Sequence, residues 1–295
     1  MSSLDPSSKP ARGRRNDPSS WEEELDAEDV PADAVESEEP GPRWPRRSAA
    51  VKVLYHDEEI IVAGKPPGIW IEHEIEDEPS VFEQLEAKGL IRSDAPAWHA
   101  VYPLDVGASG LVVLAGSFAS MNLLREQMGD GTLDLCCLAL VRGHLAQETG
   151  TIDRPIVAAG GDRPARIDDA HGQKAVTEWR LRDSFVGFAL LECRPRTAVI
   201  SQLRVHLSSA GMPLVVDPAF GGGESLMLSS FKSNYRPSRR HAERPLIQRL
   251  TLHAFSVRFP HPKTKAPMQL ELPPPKDFRA ALNQLDHYGR LPPPP

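Results

Sequence analysis

Between residues 51 and 260 the chain is written as a succession of short apolar runs, each closed by Gly, Pro, Asp or Ser. Segments 133–145 (LDLCCLALVRGHL), 174–185 (KAVTEWRLRDSF) and 187–197 (GFALLECRPRT) follow one another at strand length, and Ser184 and Gly187 bracket a hairpin. Runs of this kind bury a face only by pairing side by side, so they commit the chain to a sheet. Upstream, Val51, Val53 and Tyr55 alternate, Asp57-Glu58-Glu59 makes a turn, and residues 60–63 return as a second strand. Downstream, 246–262 (LIQRLTLHAFSVRFPHP) reads as another strand pair.

Helical spacing is confined to a few stretches. Ser80 precedes VFEQLEAKGL with Glu83 in the capping-box position and Gly89 at the end. Residues 118–128 read as a helix stopped by Gly129, 201–211 (SQLRVHLSSAG) as a helix stopped by Gly211, and PKDFRAALNQL as a closing helix. Many strands with a few helices describe an α+β fold on a mostly antiparallel mixed sheet with flanking helices. No fixed-period repeat is present.

Residues 1–48 are of another kind, rich in Ser, Pro, Glu and Arg without apolar periodicity. Such a segment cannot bury enough surface to offset its ordering entropy, so it reads as a disordered tail. It holds twelve acids and seven Lys/Arg, whereas the other 247 residues hold 29 and 27. The overall charge of −7 is therefore mostly the tail's, and a polyanionic partner for the rest stays open. The expected folded domain is 49–284, with 285–295 as a frayed end. Cys136, Cys137 and Cys193 have no metal-ligand spacing and no disulfide framework, so they read as buried thiols. No run approaches the ~18 apolar residues of a membrane span, and the N-terminus lacks an apolar signal region. A cytoplasmic monomer without metal is the expectation.

The segment 100–115, AVYPLDVGASGLVVLA, places Asp105 in a Gly/Ser-rich loop directly before an apolar strand. A carboxylate at the mouth of a buried strand is costly to keep ionised unless a cation or hydrogen-bond donors face it. From local sequence alone, a turn cap and a functional carboxylate stand at even odds.

Motif order shifts those odds. Lys65-Pro66-Pro67-Gly68 after the first hairpin, Tyr102-Pro103-Leu104-Asp105 continuing to Ser109-Gly110-Leu111, and Leu138-Ala139-Leu140-Val141-Arg142-Gly143 come in sequence. Gln202-Leu203-Arg204-Val205-His206-Leu207 follows, with Gly211-Met212-Pro213-Leu214 and Asp217. Leu252-His253-Ala254 and Phe259-Pro260-His261-Pro262 close the series. In order and spacing these resemble the RluA-type pseudouridine synthases over about residues 51–275. The resemblance implies a pseudouridine synthase-like fold with a basic active-site cleft. It implies a cofactor-free isomerase that converts uridine to pseudouridine in structured RNA, ribosomal or transfer. Asp105 takes the place of the nucleophile, and Arg204 that of a cation that favours its charged form. The substrate-binding candidates are Tyr102, Cys137, Gln202, Lys232, Arg236, Arg239 and Arg240. The last four lie in KSNYRPSRRHAER (232–244), the densest part of a stretch from Arg196 to Arg258 with nine Lys/Arg against three acids.

The chain also departs from the family's pattern. Tyr102-Pro103 replaces His-Arg before the aspartate, Val106-Gly107-Ala108 replaces a polar segment, and Cys137 stands where an active-site Tyr is expected. Thr197-Ala198-Val199-Ile200-Ser201-Gln202 replaces T-G-R-T-H-Q. Tyr102 or Tyr235 could restore a ring. An active synthase with a retuned pocket therefore competes with a catalytically impaired RNA-binding relative that uses the same basic cleft. A third reading, a hydrolase or metal-dependent enzyme around His99, Asp105 and His206, has no nucleophile-elbow or metal-ligand spacing behind it.

Overall fold

A computed structural model describes residues 50–72, 80–92, 98–160, 163–237 and 241–292. The tail reading of 1–48 lies outside them. The strands are β1 (Lys52–His56), β2 (Ile60–Lys65), β3 (His99–Ala100), β4 (Ser109–Ala115), β5 (Asp134–Arg142), β6 (Thr149–Asp153), β7 (Ile156–Val157) and β8 (Arg166–Ile167). They continue with β9 (Val176–Phe185), β10 (Phe188–Pro195), β11 (Leu252–Pro260), β12 (Pro267–Glu271) and β13 (Arg290–Leu291). Among the described residues four α-helices accompany them: α1 (Val81–Glu86), α2 (Phe118–Asp130), α3 (Gln202–Ser209) and α4 (Lys276–Gly289).

One eleven-stranded sheet carries the fold in the order β1-β2-β4-β11-β5-β10-β9-β13, with β12 on β11, β3 on β4 and β6 on β9. Its pairs are antiparallel except β4 with β11, where His253 lies opposite Ser109 and Ala254 opposite Gly110. This is the α+β architecture on a mixed, mostly antiparallel sheet that the residue pattern predicts.

Alternation along β5 and β10 explains why the middle of the chain reads as continuous apolar runs. Cys137, Ala139, Val141, Leu191 and Cys193 pack with Leu203 and Leu207 of α3. Leu138, Leu140 and Leu190 pack with Phe278, Ala281 and Leu285 of α4. Both faces are covered, so both sets of side chains are apolar. Among the described residues no helix is long and apolar enough to cross a membrane.

Three boundaries differ from the sequence reading. The span 246–262 is not a strand pair: it supplies the single strand β11, whose hairpin partner is β12 beyond the turn at His261. Helix α2 runs past Gly129 to Asp130, because Gly131 (φ 83°) takes the left-handed cap conformation. The expected domain end at 284 falls inside α4. Leu285 is fully buried, and Arg290–Leu291 pairs with β9, so the segment up to Leu291 is part of the fold rather than frayed.

Candidate active site

The loop between β3 and β4 is fastened from two sides before any functional group is considered. At the end of β2, the fully buried Lys65 donates through Nζ to the carbonyls of Pro66 (3.2 Å), Val106 (2.9 Å) and Ala108 (2.8 Å). Gly68 N–H donates to Val106 O at 2.8 Å, so the K-P-P-G turn grips the segment that follows Asp105. Burial pulls the Lys65 ammonium down to about 7, with the Asp105 charge resisting and Arg249 adding to the fall.

On the other side, Ser109 Oγ lies 3.0 Å from His253 Nδ1 and accepts from Arg249 Nη1 at 3.2 Å. Arg249 in turn grips Asp277 of α4 through Nε (2.7 Å) and Nη2 (2.9 Å). His253 Nε2 faces Leu272 O at 2.7 Å. That ring nitrogen can only donate, so Nδ1 accepts from Ser109. The first residue of β4 is thereby tied to β11 and to α4.

Between these anchors Asp105 meets α3. Arg204 Nη1 donates to Asp105 Oδ1 at 2.8 Å, and Ser201 Oγ donates to the same oxygen at 2.6 Å. The remaining edge of the guanidinium makes two bonds to Asp217, Nε to Oδ2 and Nη2 to Oδ1, both 2.8 Å. Phe220 lies under Arg204, its ring centre 4.5 Å from the guanidinium carbon. Asp217 is fully buried, while the Asp105 side chain keeps 10% of its surface exposed. Burial alone would weaken the Arg204 cation, but the hydrogen bonds to Asp217 and the charges of both carboxylates raise its pKa above the ordinary value. Among the described residues Asp105 Oδ2 takes no hydrogen bond. One oxygen of the carboxylate is held and the other is free, which is the arrangement a carboxylate nucleophile needs.

The remaining candidates separate. Tyr102 is 8% exposed and packs in the same core cluster as Cys137, Cys193 and Leu203. Burial, with the Cys137, Asp105 and Cys193 groups nearby, raises its phenol well above the ordinary range, so it stays neutral. Cys137 is fully buried on β5 and presents nothing to a ligand. Burial likewise keeps its thiol protonated. Gln202 is fully buried and wholly used by the scaffold. Its Nε2 donates to Val176 O (2.9 Å) and Thr177 Oγ1 (3.1 Å), and its Oε1 accepts from Thr197 Oγ1 (2.8 Å) and Val199 N–H (3.2 Å). It is a strut of the turn before α3, not a substrate contact.

Lys232 turns toward α4, with Nζ 4.2 Å from the ring centre of Tyr288. Arg236 is exposed. Arg239 and Arg240 lie outside the described residues. His99, Asp105 and His206 do not converge. His99 pairs with Ala115 at the far end of β4 from the Asp105 loop, a strand length of about 20 Å. His206 is buried between Thr177 Oγ1 and Arg154 O, at 2.9 Å from each.

Lys65, Ser201 and Asp217 belong to the site without having been read as functional. A lysine at the end of an apolar strand was a usable signal for the first, since only a built acceptor set keeps such a group in a core. Asp217 stood in the motif series without a role. Ser201 entered the sequence reading only as a departure, standing where the T-G-R-T-H-Q element has its His, with no role of its own.

A profile of RNA pseudouridylate synthases matches residues 59–209. Ribosomal large subunit pseudouridine synthase D of Xanthomonas campestris pv. campestris is 30% identical over 237 residues, covering 80% of this chain and 69% of that protein. Ribosomal large subunit pseudouridine synthase C of Pasteurella multocida is 27% identical over 241 residues, covering 79% and 68%. Among solved structures, human RNA pseudouridylate synthase domain containing 4 superposes with a TM-score of 0.55 at 22% identity, over 82% of this chain and 94% of that one. Its counterpart, domain containing 1, gives 0.54 at 21% identity, over 79% and 86%. These last two speak for the fold.

Proposed function

The chain belongs to the RNA pseudouridylate synthase family, and from that premise we propose that it isomerises a uridine of large-subunit ribosomal RNA with Asp105 as the nucleophile. It is an isomerase acting on RNA. The relatives' ribosomal substrates support the choice of RNA, and a cytoplasmic location is compatible with it.

The observation that carries the reading is the 2.8 Å contact between Asp105 and Arg204 with Oδ2 left free. The ionised carboxylate attacks the target nucleotide through Oδ2 and becomes covalently attached, and the bond from the sugar to N1 of the base breaks. The base turns, the sugar rejoins it at C5, the carboxylate is released, the C5 proton leaves and N1 takes one up. Product and substrate are isomers, so no redox partner enters the balance. Arg204 holds the Asp105 carboxylate fixed in direction, and Asp217 with Phe220 keeps Arg204 from following the departing charge.

The ring that Cys137 does not supply comes, in this reading, from Tyr102, whose place beside Cys137 and Asp105 supports the exchange. The replacements around the loop leave the Asp105–Arg204–Asp217 arrangement whole, which favours an active synthase over an impaired relative. Purified protein incubated with large-subunit ribosomal RNA from cells lacking it tests the reading. Pseudouridine forms at a defined site with wild type and not with Asp105→Ala; no new pseudouridine with wild type overturns the assignment.

A further inference from the structure

Among the described residues three helices begin at a serine, and one of those serines does a different job. Ser80 before α1 has extended backbone (φ −124°, ψ 163°), and its hydroxyl accepts from Glu83 N–H at 3.0 Å. Ser117 before α2 is likewise extended (φ −152°, ψ 156°), and its hydroxyl accepts from Ser120 N–H at 3.1 Å. Both are ordinary N-caps, in which the side chain satisfies an otherwise unpaired donor of the first turn. Ser201 before α3 has φ 55° and ψ 17°, the left-handed region, and its side chain caps nothing. Its Oγ points instead to Asp105 Oδ1 at 2.6 Å, with Arg204 Nη1 3.5 Å away.

A residue with a Cβ in this conformation persists only where its surroundings impose it. The surroundings here are the four hydrogen bonds of the buried Gln202, which pin Val199 and Thr197 on one side and β9 on the other. Ser201 O still accepts from Val205 N–H at 3.0 Å, so the helix starts normally while the serine side chain is turned away from it. The fold gives up a cap and accepts a strained backbone, and the return is one hydroxyl aimed at the carboxylate.

We infer that Ser201 is a positioning residue for the Asp105 carboxylate. Its hydroxyl and Arg204 together occupy Oδ1, so that Oδ2 alone is presented to the nucleotide. This rests on Asp105 being the nucleophile. Hydrogen bonds to ionised groups are the strong ones, and this one fixes which of two equivalent oxygens reacts.

The test is steady-state kinetics of Ser201→Ala and Ser201→Gly, with melting temperatures, on a transcript of the ribosomal RNA segment that wild type modifies. Both variants lack the hydroxyl, but glycine also relieves the left-handed strain. Both should lose roughly 10- to 100-fold in kcat with KM within about twofold of wild type, and Ser201→Gly should melt no lower than wild type. Unchanged kcat in either variant overturns the inference, as does a Ser201→Gly protein whose kcat and melting temperature fall together. An Asp105→Ala protein that still forms pseudouridine overturns the nucleophile assignment itself, which separates the two failures.

Discussion

Arg204 and Asp217 are joined by two parallel hydrogen bonds of 2.8 Å, and this pairing fixes the edge of the guanidinium that faces Asp105. An ammonium cannot make the same fork and reach the second carboxylate in a defined direction. Arg204→Lys should therefore keep the charge and still lose at least about 100-fold in turnover, measured as pseudouridine formed per enzyme. Arg204→Ala should also lower stability, by about 3–5 kcal/mol in denaturant unfolding, because it leaves the fully buried Asp217 without its cation. Turnover near wild type in Arg204→Lys would show that the fork is dispensable.

Gly110 sits where β4 meets β11, at φ 123°. A Cβ there would come within 2.3 Å of Ala254 O and 2.4 Å of Ala254 N, both rigid backbone. The side chain is excluded by space and by conformation together. Gly110→Ala is expected to give misfolded or strongly destabilised protein, while Gly187→Ala, also at positive φ but facing open space, costs only about 1 kcal/mol. Comparing their unfolding midpoints checks this.

The imidazole of His253 makes the fold sensitive to acid. Burial pulls it down to about 4, with the Leu272 carbonyl resisting and Arg249 adding to the fall; the unfolded value is about 6.5. Between those values the unfolded chain binds a proton that the native protein refuses. This contribution is therefore complete above pH 6.5 and is lost as pH falls toward 4, to an extent of about 3 kcal/mol. Burial also lowers His206, which acts in the same direction. Wild type should lose more stability between pH 7 and pH 5 than His253→Gln; equal losses would remove His253 as the cause.

Tyr102 and Cys137 should behave oppositely on substitution. Tyr102→Phe keeps the ring and most of the turnover, and Tyr102→Leu loses roughly tenfold or more because the base has no aromatic face to rest on. Cys137→Ala removes a buried sulfur and costs about 1–2 kcal/mol of stability with kcat and KM little changed. A Cys137→Ala protein with a raised KM would place the substrate against β5 instead.

The strands were legible because both faces of β5 and β10 are covered, which wrote them as unbroken apolar runs of the right length. Asp105 and Arg204 were legible through motif order, and the 2.8 Å contact between them is what that order implied. The loop 218–246 was not. It has no periodicity, so nothing in it told whether Lys232 would face the site or, as it does, stack on Tyr288. Gln202 was read as a ligand contact because it is polar in a functional segment. Its burial and two of its four scaffold bonds depend on β9, some 25 residues earlier in the chain. The diversion of Ser201 from helix cap to Asp105 is a matter of backbone angle, which side-chain identity does not encode.

The most direct test of the account is pseudouridine mapping in ribosomal RNA from cells lacking this protein, complemented with wild type or with Asp105→Ala. The account predicts a large-subunit uridine that wild type restores to pseudouridine and that Asp105→Ala, expressed at the same level, leaves unmodified. A site restored equally by both proteins would contradict it.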